Sequence, residues 1–321
     1  MIVAHEAQPV PSARVAPSGT QVVIRRGDQA ATVTEVGAGL RSYAVGGRDV
    51  LDGYRVDELS PSGRGQVLIP WPNRLAAGRY TFDGRSYQLP VSEPDRDDAI
   101  HGLVRWEAWT IAETEPDRAV LTHLLEPQPG YPFPLSIRIT YQLTETGLEV
   151  RTSSQNVGRE PCPYGAGQHP YLTLGTPTVD DLSIRVPART VLRHDGQGIP
   201  TGSSPVDGTP FDLRRAQPIG DRRFDDFFTD LERDQDGLAR IRLHAPGRGL
   251  QVTVWLDAAY RYVTVFTGDA LPDVARRSLA IEPMTCPPNA FVTGQDLVRL
   301  EPDETHEGHW GIDPFTPVDE S

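Results

Sequence analysis

The chain has 321 residues, with 31 basic and 44 acidic side chains and a formal net charge of −13. That length can bury a sizeable core without disulfide or metal staples, and the acidic balance argues against a surface that grips phosphate backbones or anionic lipid. Every basic residue is arginine, which excludes a lysine nucleophile, a Schiff base and a P-loop lysine, and 30 Gly and 30 Pro disfavour long helices.

Residues 1–18 are rich in Pro, Ala, Ser and Val and read as a loose N-terminal arm. They lack the basic and apolar regions of a signal peptide. No run anywhere approaches ~18 apolar residues, so a cytoplasmic chain that crosses no membrane is expected. Residues 19–315 then read as one domain and 316–321 as a C-terminal tail.

Turn chemistry starts at Arg26-Gly27-Asp28 and Gly46-Gly47. The segment Ile69-Pro70-Trp71-Pro72-Asn73-Arg74-Leu75 is the first candidate site. Its prolines keep the preceding residues extended, and Arg74 offers a rigid fork of donors. An edge loop with a surface arginine explains the same residues. Tyr80–Phe82 and Arg85–Leu89 flank Asp83-Gly84, a two-residue hairpin signal. After the charged stretch Glu93 to Asp98, Ala99-Ile100-His101-Gly102-Leu103 places a histidine at a loop-to-strand junction.

Leu135, Ile137, Ile139, Tyr141 and Leu143 alternate with Ser136, Arg138, Thr140 and Gln142, a strand with one wet face. Leu148–Arg151 returns from it. Cys162 and Cys286 lie in no CxxC pair, which excludes a four-cysteine zinc site and a disulfide scaffold; two buried thiols are expected. In Tyr164-Gly165-Ala166-Gly167-Gln168-His169-Pro170-Tyr171-Leu172 the glycines permit close backbone approach or positive φ. His169 there is either a proton donor near neutral pH or a structural histidine. The third glycine of a dinucleotide fingerprint is missing.

Leu182–Val186, Ala239–Leu243, Val252–Leu256 and Tyr262–Thr267 continue the strand rhythm, and Pro246–Gly249 joins two of them. Phe224-Asp225-Asp226-Phe227-Phe228 sets two acids between aromatics. In Ala280-Ile281-Glu282-Pro283-Met284 a carboxylate flanked by apolar neighbours is desolvated and suits a general base; pairing with an arginine is the alternative. His306-Glu307-Gly308-His309 lacks the spacing of a zinc-protease motif, so no metal is expected. Many short strands at near-regular spacing predict an all-β sandwich or barrel.

In chain order, Asn73-Arg74, His101-Gly102, His169-Pro170-Tyr171, an Asp before aromatics and Glu282-Pro283 resemble the aldose 1-epimerase (galactose mutarotase) family. The similarity runs from about Gly37 to Gly311. The resemblance implies a large single-domain antiparallel β-sandwich that holds a sugar in a cleft, interconverting α and β anomers of a glucose- or galactose-type hexopyranose. It implies Glu282 as catalytic base and a charged His169 as catalytic acid. Arg74, His101 and Asn73 would orient the sugar, and Asp225 would bind its hydroxyls. Many relatives read Asp-His where this chain reads Asp225-Asp226, so Asp226 stays open as the alternative. Gly167-Gln168 stands where many relatives have Asn. No cofactor is implied, and the only partner is a small-molecule sugar, with no nucleic acid, the protein being a monomer or homodimer. A hexose-6-phosphate 1-epimerase, a non-catalytic sugar-binding protein and a glycoside hydrolase are the competing readings.

Overall fold

A computed structural model describes residues 16–272 and 274–316. Residues 1–15 of the expected arm and 317–321 of the expected tail lie outside the described residues. Ser18, at the end of that arm, is buried, with its Oγ 3.4 Å from the Glu58 carbonyl.

The architecture is all-β and antiparallel. A nine-stranded sheet runs, in spatial order, Thr110–Glu115, Arg118–Leu125, Leu135–Leu143, Leu148–Asn156, Thr305–Thr316, Leu250–Leu256, Ala239–Ala245, Ser183–Arg185 and Gln217–Pro218. An eight-stranded sheet runs Pro200–Pro205, Ala188–His194, Asp225–Leu231, Tyr262–Phe266, Leu279–Met284, Gly167–Gln168 and Val67–Leu68, with Tyr171–Leu172 also paired to Leu279–Met284. One four-stranded and three two-stranded sheets complete the described strands. The one α-helix among the described residues spans Ala290–Thr293, as the Gly and Pro content requires.

Residue alternation explains the main strands. Leu135, Ile137, Ile139, Tyr141 and Leu143 are all buried, while Ser136 and Arg138 are exposed. Each fully buried aliphatic side chain stabilises the fold by about 1.5–3 kcal/mol. The expected hairpin is present: Phe82 pairs with Arg85, and Asp83 and Gly84 both have positive φ, as a type I′ turn demands. Gly46 and Gly47 do the same between Val45 and Arg48. One apolar core joins the inner faces of the two large sheets. Ile139, Val150, Ile241 and Val254 meet Val191, Phe228, Val265 and Ile281 there.

The opposite face of the eight-stranded sheet is different. Leu192, Phe227, Tyr262 and Met284 form a small separate cluster. Side chains two apart on a strand share a face, so Asp225 shares this face with Phe227, and Glu282 with Met284. Polar groups buried here, away from the main core, mark where to look for chemistry.

Candidate active site

Glu282 sits in the middle of Leu279–Met284, paired with Thr264 on the neighbouring strand. Only 2% of it is exposed. Burial and, to a lesser degree, the nearby Asp225 carboxylate push its pKa up to about 8, against the opposing pull of Arg74. Among the described residues no arginine lies within ion-pair distance of it; His169 does, with Nε2 3.4 Å from Oε1. The other carboxylate oxygen, Oε2, is buried without a hydrogen-bond partner. A purely structural carboxylate would have both oxygens satisfied.

His169 follows the short strand Gly167–Gln168, which lies between Leu279–Met284 and Val67–Leu68. The glycines here serve close approach: a Cβ on Gly167 would fall 2.8 Å from Pro72 and 2.9 Å from the Pro283 carbonyl, and one on Gly165 would fall 2.5 Å from the Cys286 sulfur. The His169 N–H donates to Gln66 O at 3.2 Å and its carbonyl accepts from Gly65 N at 2.9 Å. Gly63, at φ +77°, lies against the ring edge, where a Cβ would sit 2.8 Å from Cδ2. The ring stacks on Tyr171 at 4.8 Å and 7°. Burial first, then the Arg64 charge, lowers its pKa to about 3. A charged resting His169 is therefore not what the surroundings favour. Burial instead favours the neutral form of both groups, a protonated Glu282 beside an uncharged His169.

Arg74 opens a two-stranded ribbon, Arg74–Ala76 against Asp98–Ile100, and Asn73 and His101 flank it at that end. Asn73 and His101 both adopt left-handed φ, +56° and +64°, and bind each other twice. The Asn73 N–H donates to His101 Nδ1 at 3.2 Å, and the His101 N–H donates to the Asn73 carbonyl at 2.9 Å. Burial holds the imidazole well below its ordinary pKa, so the neutral ring accepts at Nδ1 and carries its proton on Nε2. Gly102 follows because nothing larger fits: at φ +71°, a Cβ would lie 2.0 Å from the Ile69 carbonyl. The His101 and His169 rings meet edge-to-face at 5.4 Å. Arg74 is buried and gripped by both oxygens of Glu93, at 2.7 and 3.0 Å. Asn289, beyond the proline-rich turn after Glu282, braces the ribbon, donating its N–H to the Arg74 carbonyl at 2.6 Å.

The adjacent acids divide. Asp225 lies in the fields of Arg74 and Glu282, and burial raises its pKa. Asp226 lies 3.6 Å from His194 Nε2, and this contact raises that imidazole to about 9. Of the six residues expected from the sequence, Glu282, His169, Arg74, His101 and Asp225 come together, while Asn73 is tied to them through its backbone bonds to His101, its Oδ1 accepting from the Arg74 N–H at 2.9 Å. Sequence reasoning missed Glu93, His194 and Arg105. Glu93 lay in a charged stretch that was noted without a role. His194 ends a strand with no motif around it. Arg105 bears on both His101 and His169, and among the described residues no carboxylate pairs with it.

Elsewhere, His306 and His309 lie three apart on a strand and so take opposite faces. The His306 ring meets Tyr164, and His309 reaches Glu149 at 3.3 Å. Both cysteines are free and buried. No described helix is long and apolar enough to cross a membrane.

A family model described as aldose 1-epimerase matches residues 20–312. The chain belongs to the aldose 1-epimerase family. Members of this epimerase family are isomerases that act on sugars. The chain is similar to the uncharacterized protein YihR of Escherichia coli K12, 38% identical over 92% of this chain and 93% of that protein. It is also similar to the galactose mutarotase of Rattus norvegicus, 32% identical over 59% of this chain and 58% of that one. Its fold matches that of a GalM/aldose epimerase homologue from C. elegans, with a TM-score of 0.84 over 94% of this chain and 99% of the other, at 18% identity.

Proposed function

We propose that this member of the epimerase family interconverts the α and β anomers of a hexopyranose, and that His169 and Glu282 move the protons. The observation that carries the reading is the buried pair itself: two titratable groups 3.4 Å apart, each with an unpartnered polar atom, Nδ1 and Oε2. Ring opening takes a proton from O1 and gives one to the ring oxygen. Those two oxygens share one carbon, so an adjacent acid and base can serve both. A glycosidase places its carboxyl groups about 5–9.5 Å apart instead, and gives His169 no task.

The chemistry needs one proton on the pair. With none there is no acid; with two there is no base. Burial produces this state, holding Glu282 protonated towards pH 8 and His169 neutral down to about pH 3. Moving that proton across to His169 creates a carboxylate base and an imidazolium acid. Arg74 stabilises the Glu282 carboxylate, while its charge also bears against the imidazolium. The base takes the O1 proton, the C1–O5 bond breaks, and the acid protonates O5. The aldehyde rotates about C1–C2 and the steps reverse, returning each proton. His101 Nε2–H and Arg74 orient the hydroxyls, an effect that removes entropy from the barrier. Asp225, next to Arg74, accepts from a sugar hydroxyl.

The test is anomer exchange by NMR on freshly dissolved α-glucose and α-galactose. Wild-type protein should accelerate the approach to equilibrium, and Glu282→Gln and His169→Asn should each lose about 10²–10⁴-fold. One observation favours a second reading: among the described residues no carboxylate lies within ion-pair distance of the Arg105 guanidinium, although Glu93 bears on it, and that guanidinium could receive the phosphate of a hexose 6-phosphate. Acceleration on glucose 6-phosphate alone would select it. Silence on all three sugars would overturn both and leave a sugar-binding protein.

A further inference from the structure

One buried cation lies next to the proposed proton-transfer pair without belonging to it. Arg64 is 2% exposed. Its Nη2 donates to Asp52 Oδ2 at 2.9 Å and to Ser278 Oγ at 3.3 Å, and its Nε donates to the Asp52 carbonyl at 3.2 Å. Asp52 also accepts from Ser278 Oγ at 2.7 Å and from Arg277 Nε at 3.0 Å. Burial works against its charge, but these donors outweigh it and hold the carboxyl below the usual range. The guanidinium is thus fixed, and it is fixed over a ring: its carbon lies 4.1 Å from the Tyr171 centroid. Tyr171 stacks on His169 at 4.8 Å, nearly parallel. The Tyr171 hydroxyl is tied in turn, donating to the Ser62 carbonyl at 3.1 Å.

A planar cation on one aromatic, and that aromatic on an imidazole, is an expensive arrangement to build from a buried charge. A structural ion pair needs no ring interposed. We propose that Arg64 is a positioning residue for His169: working through Tyr171, it fixes the plane of the imidazole so that Nε2 meets Glu282. Its charge adds to burial, the larger influence, in disfavouring the imidazolium. Arginine suits the task because its flat guanidinium stacks while staying charged, which lysine does not do. Gly63 on the ring edge leaves the stack no room to slide. The other charged or titratable groups that bear on His169 are Glu282, His101, Arg74 and Arg105; only Arg64 acts through a ring stacked on the imidazole.

The inference rests on His169 as a proton-transfer group, so its test reads the imidazole directly as well as the rate. Arg64 lies roughly 9 Å from the imidazole along the stack. At an effective dielectric constant of about 20, losing a unit charge there moves the imidazole's protonation by about one pH unit. In Arg64→Met, ¹⁵N NMR of the histidine rings (with His169 assigned by its loss in His169→Asn) should show His169 protonating about one pH unit higher than in wild type. The acid limb of the anomer-exchange rate should move with it. Arg64→Lys should keep the wild-type titration, having the charge, yet show a reduced kcat at unchanged KM, lacking the plane. Tyr171→Leu supplies the same kcat reading as Arg64→Lys, and Arg64→Gln supplies the titration if Arg64→Met does not fold, with circular dichroism marking the folded range. Coincident His169 titrations in wild type and Arg64→Met would overturn the electrostatic part, and an unchanged kcat in both Arg64→Lys and Tyr171→Leu would overturn the positioning part. A protein inactive on every sugar but with a shifted His169 titration would sink the proposed reaction and leave the Arg64 effect standing.

Discussion

Replacing Glu282 by glutamine should stabilise the protein while abolishing proton transfer, and the gain should depend on pH. An exposed glutamate titrates at 4.5, and this buried one at about 8. Between those values the native chain keeps a proton that the unfolded chain has released, so native stability falls as pH rises through the window. Each pH unit is worth about 1.4 kcal/mol, so the cost is about 3 kcal/mol at pH 7 and about 5 kcal/mol above pH 8. Glutamine carries no such penalty. His169 contributes with the opposite sign, since its folded value near 3 costs stability as pH falls below its ordinary range, but it is present in both proteins and cancels in the difference. Urea unfolding followed by tryptophan fluorescence at pH 5, 6, 7 and 8 reads this directly. The two proteins should nearly coincide at pH 5, with the variant pulling ahead as pH rises and the m-value unchanged. A difference that is flat with pH, or a variant that is less stable at pH 8, would refute the burial argument and with it the one-proton pair.

Two further outcomes follow from particular contacts. Asp225 helps hold the Glu282 proton, so Asp225→Asn should shift the alkaline limb of the rate profile to lower pH by about half to one unit, whereas Asp226→Asn, whose carboxylate faces His194, should leave that limb in place. If the two variants exchange behaviour, Asp226 is the sugar-side acid. Gly102→Ala should destabilise the fold by about 3 kcal/mol or more, because φ is +71° and the new Cβ would fall 2.0 Å from the Ile69 carbonyl; a thermal midpoint equal to wild type would show that the loop can relax.

The sequence by itself determined the fold class and most of the strands, because alternation and turn chemistry are local properties. Leu135–Leu143 and the Asp83-Gly84 hairpin fall where the pattern put them. The candidate site residues were legible only through the family resemblance, which rests on short motifs such as His101-Gly102 and Glu282-Pro283 in chain order. Three things were decided only by the tertiary structure. Asp225 and Asp226 are adjacent in sequence, and only the packed strands show that Asp226 makes the close contact with His194 while Asp225 lies in the fields of both Arg74 and His194. Glu93 and Arg64 gain their partners, Arg74 and Tyr171, from contacts across 19 and 107 residues of chain, and no local pattern encodes such pairings. The resting proton was likewise hidden, because solution pKa values place it on a histidine rather than a glutamate. Burial disfavours charge on both groups, raising the acid and lowering the base until their order reverses, and burial exists only once the sheets have packed.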